Sequence, residues 1–208
     1  MNHARSELTA VLATGLAHFV VSGWLDLHQL FIAGACAFWV VFVVWRARID
    51  PSVLSRWGFT RSGFGRSCKL LLPALVVAMA CFVAVGSWTG ALLLHWHFAL
   101  IALLYPAWGL VQQFLIVALV AGNLRRHTGA SERLLVLLTA AIFAIAHAPS
   151  LALSVAAFCL AIVTTTVHFR VRNLWALGLF HGWYATGLYF FALGQNPWQE
   201  VVAGRWWP

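Results

Sequence analysis

Five polar side chains interrupt long apolar runs: His18, the adjacent pair Gln112 and Gln113, His147 and His181. Asn173 and His168 stand at the border of such a run, and His28, His95 and His97 stand near the ends of others. In a membrane an ionisable or amide side chain is expensive unless it pairs or lines a cavity, so each of the five is a candidate functional group. Imidazole exchanges protons near neutrality, with an ordinary pKa of about 6.5. A carboxamide orients water or a carbonyl but cannot take a proton. Two histidines and a glutamine at one depth therefore suggest a single polar cluster inside the membrane. The competing reading is interhelical hydrogen bonding worth about 1 kcal/mol per contact. A third reading is zinc on His147, His181 and His18, but no His-x-x-x-His pair or acidic ligand supports it, so no metal or other cofactor is expected.

The elements that must carry these residues follow from composition. Of 208 residues, 62% are apolar and 9% charged, and the mean hydropathy is +0.87. Those values suit lipid as the solvent and predict a single all-α domain over residues 1–208, a polytopic transmembrane helix bundle. Apolar stretches at 8–25, 29–45, 70–94, 98–122, 134–148, 150–167 and 173–193 predict about seven spans. The fifth is short, and Pro149 separates it from the sixth by opening a new helix at its first turn.

Net charge is +8, yet the bases fall in short connections, where they mark the cytoplasmic face rather than nucleic acid. With the N-terminus cytoplasmic, all of the 13 Lys and Arg residues but Arg205 lie inside. The outer tail carries Trp198, Trp206 and Trp207 as interfacial anchors. The connection from Arg46 to Lys69 is the longest and could meet anionic headgroups, so membrane lipids are expected partners. Cys36, Cys68, Cys81 and Cys159 show no spacing that suggests a disulfide or metal site. This places the chain in a plasma membrane or bacterial inner membrane.

Counted from the cytoplasmic ends of their helices, Gln112, His147 and His181 lie within roughly 12 to 20 Å of that face, at about 1.5 Å per residue. They are expected to converge. Gly178 and Gly182 flank His181 at the spacing that lets another helix backbone approach closely.

Three segments together resemble the CPBP intramembrane proteases, which include CAAX prenyl endopeptidases and bacteriocin-processing or self-immunity proteins. Trp57-Gly58-Phe59-Thr60-Arg61 is similar to that family's Leu-Gly-Leu-x-Arg element. Phe143-Ala-Ile-Ala-His147 fits its Phe-x-x-x-His motif, and Arg172-Asn173-Leu174-Trp175-Ala176 leads into His181 as a similar segment leads into its last histidine. The resemblance covers about residues 55–192. It implies endopeptidase activity on membrane-associated peptides or proteins, with Gln112, Gln113, His147 and His181 at the catalytic positions. The family's Glu-Glu-x-x-x-Arg is here Gln112-Gln113-Phe114-Leu115-Ile116-Val117, and its His-x-x-x-Asn ends in Ala185. Both carboxylates expected to activate water are amides. The chain's own acids, Glu7, Asp26, Asp50, Glu132 and Glu200, all fall outside the expected depth of the cluster. Two functions remain open: a protease that uses a histidine base, or a catalytically silent relative serving as a membrane adaptor, immunity factor or binder of tails or lipids.

Overall fold

The computed structural model describes residues 2–25 and 27–199 and is helical throughout, with no strand among them. Asp26, Glu200, Arg205, Trp206 and Trp207 lie outside the described residues. In chain order come α1 (Asn2–Ala17), α2 (His28–Ile49), α3 (Ser52–Trp57), α4 (Phe64–Thr89), α5 (His97–Gln113), α6 (Gly122–His127), α7 (Glu132–Ile145), α8 (Leu151–Arg170) and α9 (Leu174–Gly187). π-helical turns extend α1 over His18–Trp24, join α5 to α6 over Phe114–Ala121, and extend α9 over Leu188–Leu193. Apart from the short α3, the described helices thus form seven rods in the order expected from the apolar runs.

Four stretches are long and apolar enough to cross a membrane: Gln29–Ile49, Phe64–Thr89, His97–His127 and Leu151–Arg170. Their exteriors are apolar as lipid would require, with Val40, Val41, Leu72, Val76, Val77 and Leu103 all exposed. Helix α7 has 14 residues, a rise of about 21 Å against a hydrocarbon core of about 30 Å.

Several boundaries differ from the sequence reading. Between Arg46 and Lys69, α2 runs on to Ile49, α3 folds in behind it, and α4 starts six residues ahead of the expected span. The cause is apolar: Val53 and Trp57 of α3 are each only 1% exposed, so this segment packs instead of looping. Arg46 is likewise buried inside the bundle, not displayed in a loop. Helix α4 ends at Thr89, capped by Gly90 in the left-handed region, and residues 91–96 are non-helical. Pro149 lies before the first turn of α8, because Ser150 is the cap, its hydroxyl accepting from Leu153 N.

Helix α5 packs closely against α9. A Cβ added at Gly178 would stand 2.8 Å from Leu110 Cβ, and one at Gly182 would stand 2.6 Å from Pro106 Cα. The small residues on either side of His181 therefore do let a neighbouring backbone in, as their spacing predicted.

Polar contacts gather the charged ends. Arg46 at the end of α2 meets Glu7 of α1, and Asn123 of α6 donates to the same carboxylate. Arg125 bonds both Glu132, which opens α7, and the Phe169 carbonyl of α8. Asn173, which caps α9, donates to Thr60 and Ser62 ahead of α4. All seven rods thus bring their basic termini to one end of the bundle, as alternating up and down helices must.

Candidate functional site

Gln113 is the last residue of α5, immediately before the chain widens into the π turns Phe114–Ala121. Such widening occurs often at functional positions because it turns side chains out of the regular helical register. Gln113 is fully buried, and its Nε2 donates to His181 Nδ1 across the close α5–α9 contact at 3.0 Å. Because the amide nitrogen is the donor, Nδ1 must offer its lone pair, and the His181 proton lies on Nε2. The carbonyl oxygen of Gln113 has no partner among the described residues.

His147 follows α7, and its ring takes the opposite tautomer. Its Nδ1 lies 2.7 Å from the Phe143 carbonyl, which can only accept, so Nδ1 carries the proton and Nε2 keeps a free lone pair. The Phe143 ring is edge-on to both imidazoles, with centroids 4.6 Å from His147 and 5.9 Å from His181. His18, where the first rod turns π-helical, bonds the Ala146 backbone beside His147 and packs its ring 5.1 Å from Phe31.

The structure therefore brings Gln113, His147, Phe143 and His181 together, with His18 at the margin. Gln112 is half-buried on the neighbouring face of α5 and forms no hydrogen bond among the described residues. The expected convergence of Gln112 with the two histidines is carried by its neighbour instead. Among the described residues no three His, Cys, Asp or Glu side chains gather as a metal site. His181 is 4% exposed, so the inner part of the cluster is closed to the surroundings.

The motif segments that suggested a protease also meet in space. The Gly58 carbonyl accepts from Leu174 N at 2.9 Å, and Asn173 Nδ2 donates to Thr60 O at 2.7 Å and Ser62 O at 3.0 Å. Gly58 has φ +99, and a Cβ there would lie 3.2 Å from His168 Cε1, so both backbone shape and space call for glycine. Trp57 and Phe59 pack on Phe114, next to Gln113, with centroids 5.0 and 5.4 Å away, and Phe59 meets Trp175 at 5.5 Å. The connection ahead of α4 thus fixes the start of α9, and through Phe114 it braces the helix that holds Gln113.

A second polar cluster was not foreseen. Glu7 is 4% and Arg46 2% exposed, paired at 3.4 Å, and Asn123 Nδ2 donates to Glu7 at 2.8 Å. His3 Nδ1 contacts Arg46 at 3.1 Å, and Arg126 donates to Asn123 Oδ1 at 2.8 Å. From sequence, Arg46 belongs to a cytoplasmic connection and Glu7 to the cytoplasmic side, and neither is expected in a buried cluster. The available hint was that a carboxylate in so basic and acid-poor a chain would find a base. No known family, curated protein or solved structure matches the chain.

Proposed function

We propose that this protein is a seven-span membrane protein with a cytoplasmic N-terminus, a divergent CPBP-type intramembrane endopeptidase that uses imidazoles where the family it resembles uses carboxylates. The observation that carries this reading is the pair of complementary tautomers. His147 Nε2 has the lone pair that a general base needs, and His181 Nε2 has the proton that an oxyanion donor needs. In this mechanism His147 takes a proton from water, the hydroxide attacks the scissile carbonyl, and His181 holds the resulting oxyanion. The proton on His147 then passes to the leaving amine, which balances the hydrolysis. Gln113 fixes the tautomer of His181, and Gln112 orients the peptide or water. The bilayer is a plasma or bacterial inner membrane, with the base-rich end of the bundle on the cytoplasmic side.

One observation favours the silent-relative reading: Gln113 and His181 are closed inside the α5–α9 contact, at 0% and 4% exposure. In that case the cluster is a packing device and the protein binds without cleaving.

The test is proteolysis by protein reconstituted in liposomes, presented with single-pass reporters that carry randomised juxtamembrane segments. Cleavage by wild type that falls about a hundredfold or more in His147→Ala is the expected result, the scale of a lost general base. Cleavage that survives both His147→Ala and His181→Ala overturns the mechanism. Reporter capture without cleavage by wild type establishes the silent relative.

A further inference from the structure

The three carboxylates among the described residues, Glu7, Asp50 and Glu132, are each paired with an arginine: Arg46, Arg56 and Arg125 respectively. The remaining bases at that end of the bundle have no acidic partner among the described residues. Arg61, Arg66 and Arg172 are three of these, and all are exposed. A cleft of about 450 Å³ opens at Arg61, lined by Thr60, Arg61, Phe64 and Trp175. It lies between the connection that precedes α4 and the first turn of α9.

Its lining is unlike a solvated charged face. Trp175 is 48% and Phe64 40% exposed, two large rings left uncovered in the same lining as Arg61. The cleft is also rigidly built: Asn173 ties its two walls together through Thr60 and Ser62, and Phe59 backs Trp175 from inside. A free cation sharing one lining with exposed aromatic rings at the end of a membrane bundle matches a phospholipid at the depth where headgroup meets glycerol. Arg61 offers a planar set of donors to phosphate oxygens, and the rings accept the apolar shoulder of the lipid.

We propose that the cleft lined by Thr60, Arg61, Phe64 and Trp175 is a binding site for the phosphate of an anionic phospholipid. The excess of unpaired bases around it selects a headgroup with net negative charge over a zwitterionic one. The site does not depend on proteolysis. It lies apart from Gln113, His147 and His181, so activity and lipid binding fail separately.

Native mass spectrometry of detergent-released protein tests this, with titration by phosphatidylglycerol, phosphatidylcholine or inorganic phosphate. Phosphatidylglycerol is expected to bind wild type at least fivefold more tightly than phosphatidylcholine. Arg61→Gln should lose about fivefold, the change expected for one surface base at about 1 kcal/mol. The Arg61 side chain makes no hydrogen bond or ion pair among the described residues, so this variant should fold normally. Trp175→Leu should also weaken phosphatidylglycerol binding, whereas Arg133→Gln, an exposed base at the start of α7 outside the cleft, should leave it unchanged. Equal binding by Arg61→Gln and wild type overturns the proposal. So does an equal loss in Arg133→Gln, which would mean a diffuse field, or binding of inorganic phosphate as tight as that of the lipid, which would mean a free-anion site.

Discussion

Replacing Glu7 by glutamine is the sharpest test of how the rods are held. Arg46 has a side chain only 3% exposed, and Glu7 is the one carboxylate among the described residues in contact with it. Its Nε has no partner among the described residues, so after the substitution His3 Nδ1, at 3.1 Å, is the chief group left to receive the guanidinium. Removing one member of a buried ion pair leaves a desolvated charge and costs about 3 to 5 kcal/mol. The pair is long, at 3.4 Å, and lies at an end of the bundle, so the lower figure applies: about 3 kcal/mol, a change of about 150-fold in the folding equilibrium. The amide keeps an oxygen for Asn123, so the loss reports charge and not shape. The double variant Glu7→Gln/Arg46→Gln removes the uncompensated cation and should return to within about 1 kcal/mol of wild type. Reversible SDS unfolding followed by tryptophan fluorescence gives these free energies, since Trp39 and Trp57 are buried in the fold. A loss under about 0.5 kcal/mol for Glu7→Gln, or a double variant no more stable than the single one, would show that the pair is solvated and refute the argument.

Gln113→Glu should reverse the His181 tautomer, because a carboxylate accepts and Nδ1 must then carry the proton; nitrogen NMR of labelled histidine reads this, and an unchanged tautomer would remove Gln113 from its assigned role. Asn173→Ala deletes the α9 cap and both bonds to the α4 approach. A stability loss of about 2 to 4 kcal/mol is expected in the same unfolding assay, and a loss below about 1 would mean that these bonds are replaced by water. Gly182→Ala forces a methyl against the Pro106 backbone and should cost about 1 to 3 kcal/mol by overpacking; a neutral outcome would mean that α5 and α9 separate freely. The Asp50 carboxyl is held down at about 2 by hydrogen bonds from Ser52 and Arg56 and by the Arg56 charge. A depressed folded value means that its contribution is present above the unfolded value of about 3.8 and is lost as pH falls through about 2. Asp50→Asn should accordingly flatten the acid limb of a stability profile between those values, and an identical limb would show the contact to be idle.

The order of the helices was legible because hydropathy records lipid exposure, and every apolar run became a rod. Helix ends were less legible, since they depend on tertiary contacts. Arg46 looked like a loop base because hydropathy cannot see Glu7, which lies 39 residues earlier in the chain. Trp57 looked like part of a connection because six residues carry too little periodicity to announce a helix. At the site, depth along each rod correctly brought α5, α7 and α9 to one level, but rotation about the rod decides which side chain faces inward. Gln112 and Gln113 differ by about 100° of helical turn. The sequence offered no basis for preferring one of them, and the packing of α5 on the glycines of α9 selected Gln113.

The two polar clusters share their helices. Glu7 and His18 stand on the first rod, and Asn123 and Gln113 on the rod from α5 to α6, so each rod carries one member of either cluster about 15 Å apart. At the charged end, Asn123 bonds Glu7 directly and fixes the height of one rod against the other. Deeper in the bundle, His18 bonds the backbone beside His147, and Gln113 holds His181. A slip of the first rod by one helical turn, about 5.4 Å, would therefore break the Glu7 contacts and draw His18 from Ala146 together. The buried ion pair is thus a register device in physical terms: it adds little net stability over an apolar pair of the same shape, but it admits one alignment of the helices. That alignment holds the lone pair of His147 and the proton of His181 at one level of the bundle, each ring edge-on to Phe143.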